Sequence, residues 1–169
     1  VWSVSWKTEI WPLQWRLAIG GFGGYFAQSI LTPILFHYHG AAIAGKMGMT
    51  LQLTGMIESL GVAWVASKFP RFGMLIAQKE WAKLDHLFFK ALINSMSAVI
   101  TGSLLLFIAV YGLNAMEHPL ADRLVSLTTL ATLLGATVFL HVVYCNYFYL
   151  RAHKKEPLLT LNIIFSLTN

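Results

Sequence analysis

Charge is what this chain has least of. Only 11% of its 169 residues are Asp, Glu, Lys or Arg, under half the share of about 25% usual in a soluble domain. Three stretches, 17–45, 91–116 and 124–150, hold no charged residue at all. Each exceeds the run of about 20 apolar residues that spans a bilayer core. A soluble fold would have to bury all three with little charged surface to keep it dispersed, so that class is excluded. Cysteine is nearly absent too. A single Cys145 rules out a disulfide framework and says nothing of the redox compartment. No GxSxG, HExxH or Walker A spacing and no close cluster of acidic residues occurs, so an enzyme is not expected. His37 and His39 stand two apart, point away from one another on a helix and have no third ligand nearby, so no metal site is expected.

What is present is apolar: 57% hydrophobic residues and a mean hydropathy of +0.64. The expected fold class is all-α, a polytopic transmembrane helix bundle. Spans are placed at 17–38, 41–67, 87–113 and 123–150, with a fifth opening at 158–169. Trp11, Trp15, Tyr38, Tyr111, Tyr147 and Tyr149 gather at their edges, where amphipathic rings sit at headgroup depth. The chain opens at Val1 and stops at Asn169 within an apolar run, so it is expected to be one piece of a larger protein.

The net charge of +5 does not point to nucleic acid, because the cations flank the spans instead of forming a basic groove. Ten of the twelve Lys and Arg residues fall on one side: Lys7, Arg16, Lys68, Arg71, Lys79, Lys83, Lys90, Arg151, Lys154 and Lys155. Only Lys46 and Arg123 fall on the other. The positive-inside rule places the ten in the cytoplasm, with His39-Gly40 and "GLNAMEHPLAD" outside. Within "SKFPRFGMLIAQKEWAKLD", residues 74–86 read as a basic amphipathic helix lying in the headgroup plane. Arg71, Lys79 and Lys83 would lie near anionic lipid phosphates.

Polar residues inside spans are costly, so their spacing is informative. Lys46, Thr50, Thr54 and Glu58 recur every fourth residue along about 18 Å of helix, with Gln52 off that line. Tyr25, Gln28 and Thr32 mark the first span, Asn94, Ser97 and Thr101 the third, and Thr137, His141 and Cys145 the fourth. One stripe per helix suggests that the helices enclose something wet, although Ser, Thr, Asn and Gln in spans also join helices to each other. Glu58, about 14 Å from the inner end of its span, is the leading candidate for substrate or ion coupling, against a structural or protonated packing role. Lys46 lies near the outer interface, where it is able to snorkel. His141 is read first as a hydrogen-bonded interior residue and second as a proton relay. "IGGFGGYF" is no phosphate loop; Gly20 and Gly24 permit close helix contact, and Pro33 predicts a kink. Candidate pathway residues are therefore Lys46, Thr50, Thr54, Glu58, Gln28 and Gln52.

Several phrases carry a resemblance: "WPLQWRLAIGGFGGYF", "TPILFHYHG", "AGKMGMTLQ", "AWVASK", "PRFGMLIAQKEWAKLDHLFFKAL" and "YLRAHKKEPLL". Together they cover nearly the whole chain, and they resemble bacterial oligosaccharide flippases of the multidrug/oligosaccharidyl-lipid/polysaccharide exporter superfamily. That resemblance implies about twelve to fourteen helices in two lobes around a central cavity, of which this chain is part of the C-terminal lobe. It implies translocation of a polyprenyl-pyrophosphate-linked oligosaccharide across the bacterial cytoplasmic membrane by alternating access. H+ or Na+ would be the coupling ion and no other cofactor is implied. Expected partners are the lipid-linked oligosaccharide, membrane lipids and polysaccharide polymerase or assembly proteins. With one Lys and one Glu on its main stripe, this chain leaves further pyrophosphate-binding cations to the other lobe. The alternatives are a drug or small-cation exporter, which favours an acidic cavity, and a membrane-embedded glycosyl- or acyltransferase or non-transporting subunit.

The topology is directly testable. With Cys145→Ser as background, Glu117→Cys should react with an impermeant maleimide in intact cells, and Lys79→Cys only after permeabilisation. Labelling of Lys79→Cys from outside would reverse the orientation.

Overall fold

The computed structural model describes residues 11–153; within α1, nothing is said of the side chains of residues 12, 13, 16, 17, 19–21, 23, 24, 27 and 28. The expected span at 158–169 lies outside the described residues. Among these residues there are four α-helices and no strand: α1 (Trp11–Ala66), α2 (Phe69–Ala77), α3 (Trp81–Ala115) and α4 (Leu127–Ala152), with a 3-10 turn at Ala121–Arg123 before α4. Long charge-free runs fold this way because a helix satisfies its backbone donors and acceptors internally, which a lipid surround demands.

α1 contains the first two expected spans, divided at Gly40. There the backbone takes φ 81 and ψ 173, a region open essentially to glycine alone. Pro33, the expected kink, keeps helical angles; the interruption falls at the glycine instead. The described side chains of 11–43 are exposed or half-buried, and burial begins at Ala44. Residues 41–66 pack with α3 and α4 into a three-helix bundle, and α2 closes one end.

The basic segment folds differently from the expected amphipathic helix at 74–86. α2 runs from Phe69 to Ala77 and takes in both Pro70 and Gly73. Pro70 is tolerated because the first turn of a helix has no internal partner for its missing N–H. Residues 81–86 belong to α3. The two helices part at Lys79, which takes a left-handed conformation with φ 57. Glu80 N–H donates to the Leu75 carbonyl and Lys79 N–H to Ile76, each at 3.0 Å, the paired bonds of a Schellman cap. α3 ends the same way. Glu117 has φ 49, His118 N–H donates to Leu113 at 3.0 Å and Glu117 N–H to Asn114 at 3.1 Å. α4 opens on Ser126, whose hydroxyl accepts from the Thr129 N–H at 3.4 Å, satisfying a donor left free at the helix start.

Two apolar clusters hold the bundle. At the α2 end Val65, Phe72, Leu75, Leu84, Phe88 and Cys145 are buried together. The Phe88 ring lies 4.5 Å from Tyr149, centroid to centroid, and Tyr149 donates its hydroxyl to Asp85 at 2.6 Å, tying the end of α4 to the start of α3. At the opposite end Val110, Leu124, Leu130 and Leu134 form the second cluster.

α3 and α4 are each long and apolar enough to cross a membrane. Less than a fifth of the most apolar stretch of each is buried within the chain. Large apolar side chains instead face outward, among them Leu105 at 62% and Phe139 at 71% exposure. That is the reverse of a soluble core helix and suits lipid or further helices.

The backbone outliers predict opposite effects. Gly40→Ala should lower the melting temperature in detergent, since a Cβ in that region costs about 1–3 kcal/mol. Glu117→Gly should raise it by relieving the left-handed residue. Circular dichroism melts of the two variants check both signs.

Candidate functional site

Between the two apolar clusters lies a layer of polar groups, contributed by α1, α3 and α4. Glu58 of α1 and His141 of α4 meet there, with Oε1 3.0 Å from Nδ1. The imidazole is wholly buried, and the Glu58 side chain keeps 16% exposure. On its far side the ring continues the chain: Nε2 lies 3.4 Å from Cys145 Sγ. Cys145 Sγ in turn lies 3.8 Å from Ser95 Oγ on α3, and Ser95 donates to the Leu92 carbonyl at 3.0 Å. Four side chains from three helices thus form one line of polar contacts.

Space for this line is made by a glycine. A Cβ on Gly61 would lie 2.7 Å from His141 Cε1 and closer still to Val99 Cγ2. Any larger residue there would push the imidazole away from Glu58. The other Glu58 oxygen, Oε2, is buried without a hydrogen-bond partner, as is Ser103 Oγ on α3. An unsatisfied buried carboxylate oxygen is costly in an apolar layer.

The remaining pathway candidates fall into different surroundings. Thr50 and Thr54 are buried, and both hydroxyls donate to their own helix, Thr50 to the Lys46 carbonyl at 2.8 Å and Thr54 to Leu51 at 3.1 Å. Thr50 Oγ1 also accepts from the Val125 N–H at 3.4 Å, joining α1 to the approach to α4. Of the two threonines, only Thr50 bonds beyond its own helix. Lys46 is half-buried at the far end of the line, Gln52 is exposed, and the Gln28 side chain lies outside the described ones. Of the expected stripe, only Glu58 reaches a side chain on another helix.

The expected pattern of one inward stripe per helix holds for α4, where His141 and Cys145 are buried, and fails for α3. Asn94, Ser97 and Thr101 are exposed, and the Ser97 hydroxyl donates to the Asn94 carbonyl at 2.8 Å. The buried face of α3 is Leu84, Phe88, Ala91, Ser95, Val99, Ser103 and Val110. Its signal in the sequence is small and apolar residues three or four apart, which the more polar Asn94, Ser97 and Thr101 set masks. Tyr25 on α1 is likewise exposed.

Arg71, Lys79 and Lys83 are all exposed at the α2 end. Lys83 lies 2.8 Å from Glu80 in a solvent-facing pair, of the kind that adds little stability. Arg151, at the same end, lies over the Tyr147 ring at 5.9 Å.

Among the described residues no three His, Cys, Asp or Glu side chains could hold a metal ion. Glu58, His141 and Cys145 are strung through the two nitrogens of one ring and do not converge on a point. Such a line can hold and pass a proton: a carboxylate, an imidazole and a thiol each take part in hydrogen bonds in more than one protonation state. No family model matches the chain, and no curated protein or solved structure matches it.

Gly61→Ala should destabilise the bundle by about 1–3 kcal/mol through overpacking. Adding Val99→Ala, which removes the nearest colliding methyl, should restore part of the loss. A denaturation double-mutant cycle measures this; strictly additive effects would show that the glycine does not seat the ring.

Proposed function

We propose that this chain is part of an ion-coupled flippase that carries a polyprenyl-pyrophosphate-linked oligosaccharide across the bacterial cytoplasmic membrane. The observation that carries this proposal is the buried Glu58–His141 pair, seated between apolar clusters in a bundle whose outer faces are apolar. An ionisable pair at that depth costs free energy that helix packing alone does not require, and such groups mark ion pathways. The quoted phrases, from "WPLQWR" to "YLRAHKKEPLL", supply the substrate class through their resemblance to oligosaccharide flippases. The excess of Lys and Arg at the α2 end agrees with a cytoplasmic face, where such a substrate is first met. The exposed face of residues 41–66, with Gln52 among its side chains, is then the surface turned toward the other lobe and the cavity.

Complementation of a flippase-deficient strain tests the proposal, with surface polysaccharide as readout and membrane protein level as control. Glu58→Gln should cut export by about tenfold or more, the loss of roughly 1.4 kcal/mol of coupling, and Lys46→Ala should reduce it less. Full export by both variants at normal protein level would remove these residues from the pathway. Failure of the unaltered protein to complement strains defective in different glycans would overturn the flippase assignment.

A further inference from the structure

The pair at the centre of the bundle identifies the coupling ion. We propose that Glu58 and His141 form one proton-binding site that excludes Na+, with Cys145 as a positioning residue that follows the imidazole through its change of protonation. The inference rests on the transport reading above and goes beyond it by naming the ion and the atoms that hold it.

The ligand set decides between the two ions. A hard cation such as Na+ is held by oxygen ligands, and in transporters often by carbonyls freed where a helix unwinds. Around Glu58 the backbone is regular helix, its carbonyls already bonded within α1, α3 and α4. Beyond the carboxylate, the next partners along the line are an imidazole nitrogen and a sulfur. Ser95 Oγ stands on the far side of that sulfur with its proton directed to the Leu92 carbonyl. Even with Ser103 Oγ, the other buried oxygen without a partner among the described residues, one carboxylate does not replace a sodium hydration shell, whereas a proton needs only the Oε1–Nδ1 contact.

Charge balance shows what the proton does. With Glu58 ionised and His141 neutral, Nδ1–H donates to Oε1 and Nε2 accepts from the Cys145 thiol, leaving a net charge of minus one. One added proton gives either carboxylate with imidazolium or carboxylic acid with the opposite imidazole tautomer. Both carry no net charge, and in both Nε2 bears a hydrogen directed at Sγ. A thiol is a weak donor and a weak acceptor, so Cys145 can serve all three states without moving. No other charged group offsets the site: α3 has no Asp, Glu, Lys or Arg from 91 onward, and α4 has none before Arg151. On α1 the nearest cation is Lys46, about 18 Å along the helix, and Lys68 lies past the end of α1, about 15 Å on at the same rise per residue. A lone negative charge in an apolar layer is costly until water reaches it. Loss of the proton is tied to opening of the bundle, as alternating access requires. The partial exposure of Glu58 and complete burial of His141 make the carboxylate the side by which the proton enters and leaves.

Infrared difference spectroscopy of the full-length protein in liposomes tests this, with pH stepped between about 8 and 5, the window in which histidine changes charge. NaCl is exchanged for choline chloride at a constant ionic strength of about 0.1 M. A joint carboxyl and imidazole signal should appear with falling pH, be lost in Glu58→Gln and in His141→Gln, keep its carboxyl part but shift its imidazole part in Cys145→Ser, and ignore Na+. Nitrogen-15 spectra of the unaltered protein's histidines give the same sodium comparison without depending on the folding of any variant. A signal that shifts with Na+, or persists unchanged in Glu58→Gln, overturns the proposal. Because the readout is protonation and not export, a normal titration in a protein that moves no glycan-lipid would count against the substrate assignment alone. Normal export with a sodium-sensitive titration would count against the proton alone.

Discussion

The contact between Glu58 and His141 sets the terms for the rest of the bundle. A carboxylate and an imidazole 3.0 Å apart in an apolar interior survive only if surrounding helices hold them together, because removing either partner strands the other. That demand accounts for Gly61, whose missing side chain lets the ring approach, and for Val99, which closes over the same gap. It also accounts for Cys145 and Ser95, which occupy the ring's second nitrogen and end the polar line against α3. The apolar clusters above and below this layer keep it from opening freely to either side.

The ends of the bundle do different work. At one end α2, the Tyr149–Asp85 bond and the packed rings of Phe72, Phe88 and Tyr149 lock three helices together. At the other, the Thr50 hydroxyl receives a backbone N–H from the segment leading into α4. The short α2 and the long α3 thus both end in Schellman caps in place of glycine turns, and the residues in the left-handed conformation are Lys79 and Glu117. Placing charged residues there keeps solvent-seeking side chains at the two faces, which a glycine would not do.

Much of this was legible from residue order. Long charge-free runs and flanking cations are properties of local composition, so most helix positions followed from them, while the division at Gly40 followed from the His39-Gly40 turn. Glu58 stood out because an acid inside an apolar span is rare for an energetic reason. The threonine line was legible as a pattern but not as a role. Thr50 and Thr54 have the spacing of a channel lining, yet their hydroxyls bond their own helix. The amphipathic segment was displaced for a similar reason: Pro70 and Gly73 look like breakers in isolation, but the first turns of a short helix accommodate both.

By itself, the sequence determined an all-helical chain with apolar outer faces, a basic end, and one acid too deep to be incidental. Tertiary structure alone decided which faces meet. Periodicity defines the face of a helix relative to itself, but not its rotation against a neighbour, so the inward face of α3 proved to be Ser95, Val99 and Ser103 and not Asn94, Ser97 and Thr101. It also decided that Glu58 has a partner. That partner lies 83 residues along the chain, and no local pattern joins two positions that only the packing of α1 against α4 brings to hydrogen-bond distance.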